Sequence, residues 1–459
     1  MRRIQALNNL SKRCYAAARR SNTLTQPLAG SKAPLPVPLP PQNVQVSKLP
    51  NGLVVASLEN YSPVSSIGVF VKAGSRYETA GSHGVSHVLR LAANLTTKGA
   101  SAFKICRGIE ALGGSLSVTS SRETMVYTAD CLRDNLAEIL GYLANVTSAQ
   151  EFRPWEVEDL VSRVKIDKAL AKECPQIGVV EKLHEAAYKT GLANSLYCPD
   201  YMVGRISSEK LESFVQDNFT SGRMALVGLG VDHAALRQVG ESLLSVRTGP
   251  GASADKAVYR GGELRMQNSD DLVHALIAVE GGVSGSAEAN AFSVLQRILG
   301  AGPHVKRGAN TTSKLSQGIA KATAEPFDAS AFHSSYSDSG LFGVYAISQA
   351  HCAGEVIKAA VAQVRGVAEG NVSEADVARA KVQVKSEYLM SLECSEGLLE
   401  EIGTQALMTA TYQAPETFLQ AVDSISKEDV VTAAKKFTDG KKTMAASGHL
   451  INTPFVDEV

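Results

Sequence analysis

No stretch of the 459-residue chain approaches the eighteen consecutive apolar residues from which a membrane-crossing helix is read. Any membrane association must then run through partner proteins. Net charge is equally missing: 46 basic residues balance 46 acidic ones, leaving no electrostatic footprint for nucleic acid. The seven cysteines (Cys14, Cys106, Cys131, Cys174, Cys198, Cys352, Cys394) are odd in number, scattered, and never spaced as Cys-x-x-Cys. That excludes a zinc knuckle, argues against a disulfide framework, and favours free thiols in a reducing compartment. Cys106 shares a helical stripe with Phe103 and Ile109, so it is expected in the core. Acidic residues are absent before Glu59, while Arg2, Arg3, Lys12, Arg13, Arg19 and Arg20 interleave with Ile4, Leu7, Leu10 and Tyr15. An amphipathic, Arg-rich, acid-free start is the composition of a mitochondrial transit peptide, expected over residues 1–24.

What is present reads as an α+β chain too long for one core. Pro34 to Pro41 (PLPVPLPP) falls in a Pro-rich tether placed at 25–43. Two β-rich runs then flank Asn51-Gly52, a strong hairpin signal, so the N-terminal domain is expected to span 44–246. Ser65 to Ala73 continues as a buried strand, Ala102 to Leu112 as a helix stopped by Gly113-Gly114, and Ser115 to Cys131 as two strands meeting near Ser121-Arg122. Leu132 to Val146 and Trp155 to Ala171 are helical. Strands and helices alternating over short connections predict a sheet covered by helices.

The second half repeats the first. Ile206-Ser207-Ser208-Glu209 leads to Phe219-Thr220-Ser221-Gly222 and Met224-Ala225; Ile425-Ser426-Lys427-Glu428 leads to Phe437-Thr438-Asp439-Gly440 and Met444-Ala445. Each reads as a capped helix, a turn and a final strand, in the order that a duplication gives. Arg247 to Ala254 (RTGPGASA) has linker composition, so a linker is placed at 247–262 and a C-terminal domain at 263–459. That domain opens with the strand Leu272 to Val279 and the helix Glu288 to Leu299, which carries no histidine where the first half carries two.

Those two are His83 and His87, in Gly74 to Gly99 (GSRYETAGSHGVSHVLRLAANLTTKG). Histidines four apart on a helix can share a metal. The segment AGSRYE, a Gly-x-x-His helix and TTKGAS together resemble the pitrilysin-like family of inverted-motif zinc peptidases, and Phe332 to Tyr345 (FHSSYSDSGLFGVY) is similar to its mitochondrial branch. That branch holds the processing-peptidase subunits and the core proteins of ubiquinol–cytochrome c reductase. The resemblance runs from Val46 to the C-terminus. It implies two duplicated domains, each a mostly antiparallel sheet packed with helices, forming two halves of a bowl.

Active relatives carry His-x-x-Glu-His, with a distal Glu about seventy-six residues on, the Glu of the motif acting as base on zinc-bound water. The obvious placement, His83 to His87, departs only at Ser86. Counting from Glu78 moves it: Gly84 is the Gly of the motif, His87 its first His, Arg90 stands at the base, Leu91 at the second His, and Asp167 at the distal Glu. The stripe Val85, Val88, Leu89, Ala92 and Leu95 agrees, since it starts the helix near Gly84 and leaves His83 in the loop. Two ligand-type residues then remain where a catalytic zinc needs three. Unit charges about 4 Å apart at an effective dielectric near 20 interact by about 4 kcal/mol, so one guanidinium beside a divalent ion opposes binding by roughly 8 kcal/mol. An always-charged arginine cannot serve as base. Arg90 is expected to pair with a carboxylate, Asp167 being the candidate, and no catalytic, metal or cofactor site is expected.

Other candidates read as structure. His184, near Glu181 and Glu185, fits a mixed-charge surface helix. Gly300 to Pro303, ahead of His304, Lys306 and Arg307, lacks the Gly-Lys-Ser/Thr ending of a P-loop. Ser284 to Ser286 is a turn and cap. Asn94-Leu95-Thr96 and Asn310-Thr311-Thr312 match the glycosylation pattern, which carries no meaning in a mitochondrion. No haem or iron–sulfur pattern occurs. The resemblance therefore implies a non-catalytic, matrix-facing core subunit needed for assembly of the reductase. Its implied partners are another core protein, cytochrome b, cytochrome c1 and the Rieske protein, in a dimeric complex. A substrate-binding, non-catalytic processing-peptidase subunit is the alternative.

Overall fold

The first hairpin shows how closely local chemistry sets the chain path. Strands β1 (Gln45–Lys48) and β2 (Val54–Leu58) pair antiparallel about Asn51-Gly52. Gly52 sits at φ +98°, its N–H reaching the Leu49 carbonyl at 2.9 Å, while the Asn51 side chain accepts the Leu53 N–H at 3.0 Å. A residue with a Cβ would be strained there. The computed structural model describes residues 42–242, 246–301 and 313–459. The expected transit peptide and nearly all of the expected tether, with Gly302, Pro303, His304, Lys306, Arg307 and the Asn310 sequon, lie outside them. Residues 43–459 form one compact unit.

In the first half, β3 (Val64–Val71) is followed by α1 (Val85–Leu91), α2 (Ala102–Ala111), β4 (Ser115–Ser120) and β5 (Met125–Leu132). Then come α3 (Leu136–Ser148), α4 (Pro154–Lys172), α5 (Pro175–Ala187), α6 (Ser208–Asn218), β6 (Met224–Leu229) and α7 (His233–Ser242). The second half runs β7 (Gly262–Gln267), β8 (Leu272–Glu280), α8 (Ala287–Leu299), α9 (Lys314–Ala322), β9 (Phe327–Ser335) and β10 (Gly340–Gln349). It closes with α10 (Ala353–Ala368), α11 (Glu374–Glu393), α12 (Ser395–Thr409), α13 (Pro415–Ser424), α14 (Lys427–Asp439) and β11 (Thr443–Gly448).

The two sheets have the same plan. Their orders are β1-β2-β6-β3-β5-β4 and β7-β11-β8-β10-β9, which coincide strand for strand once β1 is set aside. Among the described strands, β2 with β6 and β7 with β11 pair in parallel and the other pairs are antiparallel. Duplication, read from one Phe-Thr-x-Gly repeat, thus extends over both halves. The repeat differs in detail: Ser426 forms a capping box with Asp429, whereas Ser207 makes no side-chain cap bond.

Both faces of each sheet are covered, so β2, β3, β6 and β11 read as nearly unbroken apolar or small-residue runs. Val69 and Val71 face the helices of their own half, and Phe70 faces the other way. What lies over Phe70 comes from the other half: Leu399, Ile402, Ala406 and Leu407 of α12 cover β2, β3 and β6. Reciprocally, Val179, Leu183 and Ala187 of α5 cover Leu276, Ala278 and Ala445 of the second sheet. Full burial of one such aliphatic side chain contributes about 1.5–3 kcal/mol. The halves therefore exchange helices.

One core assignment fails. On α2 the buried face is Ile105 and Ile109, while Phe103 is 75% exposed and Cys106 lies in solvent. The apolar stripe chosen from spacing ran one residue off the true one because Ile109 belongs to both.

Candidate functional site

The loop Gly74 to Glu78 leaves β3 and turns into α1, and Glu78 governs that turn. Its carboxylate accepts the N–H of Gly84 at 2.8 Å, the N–H of Ser86 at 2.8 Å and the Ser86 hydroxyl at 2.6 Å. It thereby satisfies amides that the first turn of a helix leaves unpaired. Burial pushes Glu78 up to about 7 despite those three donors. Gly84 holds φ +85°, and a Cβ there would fall 2.6 Å from the Cys198 backbone. The helix starts at Val85, so His83 sits in the turn before it and shares no face with His87.

His87 is fully buried. Its Nδ1 accepts the Cys198 N–H at 3.2 Å, which leaves the proton on Nε2, and Nε2–H donates to Asp167 Oδ2 at 2.8 Å. Arg90, one turn on, donates Nη2–H to the same oxygen at 2.6 Å. Burial lowers the His87 pKa, against the pull of Asp167, and the Arg90 charge lowers it further, so the ring is neutral. For Asp167 burial pushes upward, but the His87 hydrogen bond and the Arg90 charge outweigh it and hold the carboxylate below its usual range. Tyr197 stands edge-on to the imidazole with ring centroids 5.5 Å apart. Leu91 offers no donor atom and packs, half-buried, against the main core.

The chain thus brings His87, Arg90, Leu91 and Asp167 to one place, and the pairing of Arg90 with Asp167 is present. They do not fit a zinc ion. The imidazole nitrogen and the carboxylate oxygen that could ligate are already joined to each other, and a fixed cation holds that oxygen too. Among the described residues no group of three or more His, Cys, Asp and Glu could hold a metal.

The second half supplies an internal comparison. Buried Val157, Leu160 and Val164 of α4 match Val377, Ala380 and Val384 of α11, which sets Asp167 against Glu387. Buried Val88 and Leu89 of α1 match Val294 and Leu295 of α8, which sets His87, Arg90 and Leu91 against Ser293, Gln296 and Arg297. Arg297 pairs with Glu387. Both halves therefore close the same gap between helices with an arginine and a carboxylate, the arginine being one residue further along in the second.

Sequence reasoning missed the cluster that joins the halves. Arg76, in the AGSRYE segment, donates to Glu123 at 2.6 Å, to both Asp338 oxygens at 2.7 and 2.5 Å, and to the Asp255 carbonyl at 2.9 Å. Glu123 also accepts the Ser337 N–H at 3.0 Å and its hydroxyl at 2.5 Å. Asp338 and Ser337 lie in the FHSSYSDSGLFGVY segment, so the two signature stretches touch. Adjacent to them, Arg122 pairs with Glu181 at 2.7 Å. His184 is a correction: it is 1% exposed, not on a surface helix face. Its Nδ1–H donates to the Val180 carbonyl at 2.7 Å, and its Nε2 accepts the Tyr336 hydroxyl at 2.6 Å. Burial pushes its pKa down to about 3. Mixed charge suggests solvent; instead Glu181 meets buried Arg122 of the same half, and His184 meets Tyr336 of the other.

Comparisons with known proteins match this architecture. The insulinase family (peptidase family M16) matches residues 54–200, and the M16 inactive domain matches residues 205–384. The chain belongs to the M16 peptidase family. At closer range it is 61% identical over 427 residues to the cytochrome b-c1 complex subunit 2, mitochondrial, of Homo sapiens, covering 93% of this chain and 94% of that one. The Mus musculus protein of the same name is 61% identical over 94% of this chain and 95% of its own length. Mitochondrial-processing peptidase subunit alpha of Solanum tuberosum is 34% identical over 93% of this chain and 86% of its own. Among solved structures, a chain from complex III2 of Candida albicans with Inz-5 bound superposes with a TM-score of 0.79 at 21% identity, over 91% of this chain and 98% of that one. That likeness is one of fold.

Proposed function

We propose that this chain is a non-catalytic core subunit of the mitochondrial cytochrome b-c1 complex, the ubiquinol–cytochrome c reductase, needed for its assembly and stability. The carrying observation is one oxygen: Asp167 Oδ2 is held at once by Arg90 and His87, where a peptidase of this family would hold zinc. The relatives of 61% identity bear the name of that subunit, which supports the same reading over the processing-peptidase alternative at 34%. Partners are then the other core protein, cytochrome b, cytochrome c1 and the Rieske protein, in a dimeric complex. Mitochondrial placement follows. Among the described residues no helix is long and apolar enough to cross a membrane, and a peripheral position on the matrix side of the inner membrane is the reading we favour. We assign residues 1–24 to a transit peptide, 25–43 to a tether, 44–246 and 263–459 to the two domains, and 247–262 to the linker between them.

The test is isolation of the chain from mitochondria in mild detergent, with zinc and presequence cleavage measured on the same sample. Cytochromes b and c1 in constant ratio, without stoichiometric zinc, are expected. Zinc near one per chain, with cleavage by this chain alone, would overturn the proposal.

A further inference from the structure

The duplication supplies an internal reference for the helices that cover the two sheets. Buried Ile105 and Ile109 of α2 match Leu315 and Ile319 of α9, and buried Ile139, Leu140, Leu143 and Val146 of α3 match Ala360, Val361, Val364 and Val367 of α10. Gly108 then corresponds to Gly318, and Tyr142 to Gln363. The close approaches agree: a Cβ on Gly108 would fall 2.2 Å from the Tyr142 hydroxyl, and one on Gly318 would fall 2.1 Å from the Gln363 side chain. Both helix pairs are thus packed alike, a glycine under a long side chain.

What surrounds that contact differs between the halves. The Tyr142 ring gives way to the narrower Gln363 amide, and Asn145 gives way to Gly366. A cleft of about 570 Å³ lies between α9 and α10, with Gly318, Ala362 and Gly366 in its wall. Lys321 and Arg365 also line it, at the places that Ala111 and Ala144 hold in the first half. Both cations are exposed, and neither forms an ion pair among the described residues. Lys314 is engaged: it donates to the Asn371 carbonyl at 3.1 Å and lies 3.4 Å from Asp376. Since Lys314 meets Asn371 while Gly318 meets Gln363, the two helices run antiparallel, and the acids Glu369 and Asp376 stand at the Lys314 end. Lys321 and Arg365 are left without an acid of their own. Burial and the Arg365 charge lower the pKa of Lys442, against the pull of Asp439, so a further cation stands near the guanidinium. Two unpartnered cations on an open cleft, where a half of the same packing carries two alanines, contribute nothing to holding the fold.

We propose that the cleft between α9 and α10 binds a phosphate ester, with Arg365 and Lys321 taking the phosphate oxygens. A guanidinium presents a fork matched to phosphate, and an ammonium adds a point charge. The side-chain amides of Gln363 and Asn371, which also line the cleft, supply further donors. Small-molecule sites occupy about 300–1,000 Å³, so the cleft has room for an organic body beyond the phosphate. That body lies toward the Lys314 end, where Glu369 disfavours a second anionic group.

Phosphate esters come both as soluble metabolites and as lipid headgroups, and the test separates them. The full chain is titrated calorimetrically with ADP at fixed ionic strength, and is floated with vesicles of phosphatidylcholine with and without phosphatidylglycerol. Saturable ADP binding identifies a soluble ligand; flotation only with the anionic vesicles identifies a headgroup, and either supports the site. Lys321→Gln with Arg365→Gln should weaken that binding by about tenfold, the loss of a charge-assisted contact. Lys104→Gln with Lys165→Gln removes the same charge from exposed positions of the first half and should leave binding unchanged. Circular dichroism of both variants should match that of the unaltered chain. Binding of neither probe, or equal weakening by the two pairs of substitutions, would overturn the site.

Discussion

Glu78 is a carboxyl group whose ionisation the fold resists. Its folded pKa, near 7, lies above the carboxylate's usual 4.5, so its contribution to stability is fully present below about pH 4.5 and is lost as pH rises through about 7. A shift of that size corresponds to roughly 3 kcal/mol. Glu78→Gln keeps an acceptor for the Gly84 and Ser86 amides and removes the titration, so its melting temperature should vary less between pH 5.5 and 8 than that of the unaltered chain. Identical pH dependence in the two would show that Glu78 ionises freely. The neighbouring site makes a second demand. Arg90→Glu with Leu91→His restores a third ligand and removes the cation, so that variant should retain zinc through dialysis while the unaltered chain does not, as metal analysis would read. Zinc in neither would mean that His87 cannot leave Asp167. These residues were legible because a fixed anchor, AGSRYE, allowed positions to be counted. Which proton His87 carries was not, since it depends on the Cys198 amide, more than a hundred positions away in the chain.

At the scale of elements, the crossing of α12 over β3 depends on Gly403. A Cβ there would sit 2.2 Å from the Phe70 ring, itself nearly fully buried. Overpacking of that kind costs about 1–3 kcal/mol. Gly403→Ala should lower the denaturant midpoint accordingly, and Gly403→Ala with Phe70→Leu should recover part of the loss; no change in the single variant would mean the ring moves aside at little cost. Element types and order were readable from periodicity and turn residues, as in the Asn51-Gly52 hairpin and the Gly113-Gly114 stop. Faces were harder. On α2 two apolar stripes share Ile109, and only the tertiary partner decides between them. On α5 the polar side chains of Glu181 and His184 suggest water, whereas Arg122 and Tyr336 receive them in the interior.

For the whole molecule, Arg76 is a polar tie between the halves, reaching Asp338 and Ser337 of the second. It pairs with Glu123 and Asp338 together, and removing one member of a buried ionic cluster typically costs about 3–5 kcal/mol because the remaining charges are stranded. Arg76→Ala should lower the melting temperature and separate calorimetric unfolding into two steps; a single step at the original temperature would place the coupling elsewhere, in the exchanged helices. The signature segments gave no hint of this contact, because nothing in either one names the other.

The exchanged helices have a consequence for how such a chain can be made and broken. A proteolytic nick within 247–262 frees neither fragment, because each still lies across the other's sheet, with Leu399 and Ile402 on one side and Val179 and Leu183 on the other. Conversely, neither fragment synthesised alone could finish its own sheet, whose outer face would stay bare until its counterpart arrived. During entry into an organelle the first half must wait, unfinished, for α12, which lies more than three hundred residues behind the start of its first strand. Such a chain needs protection until its last quarter has been delivered.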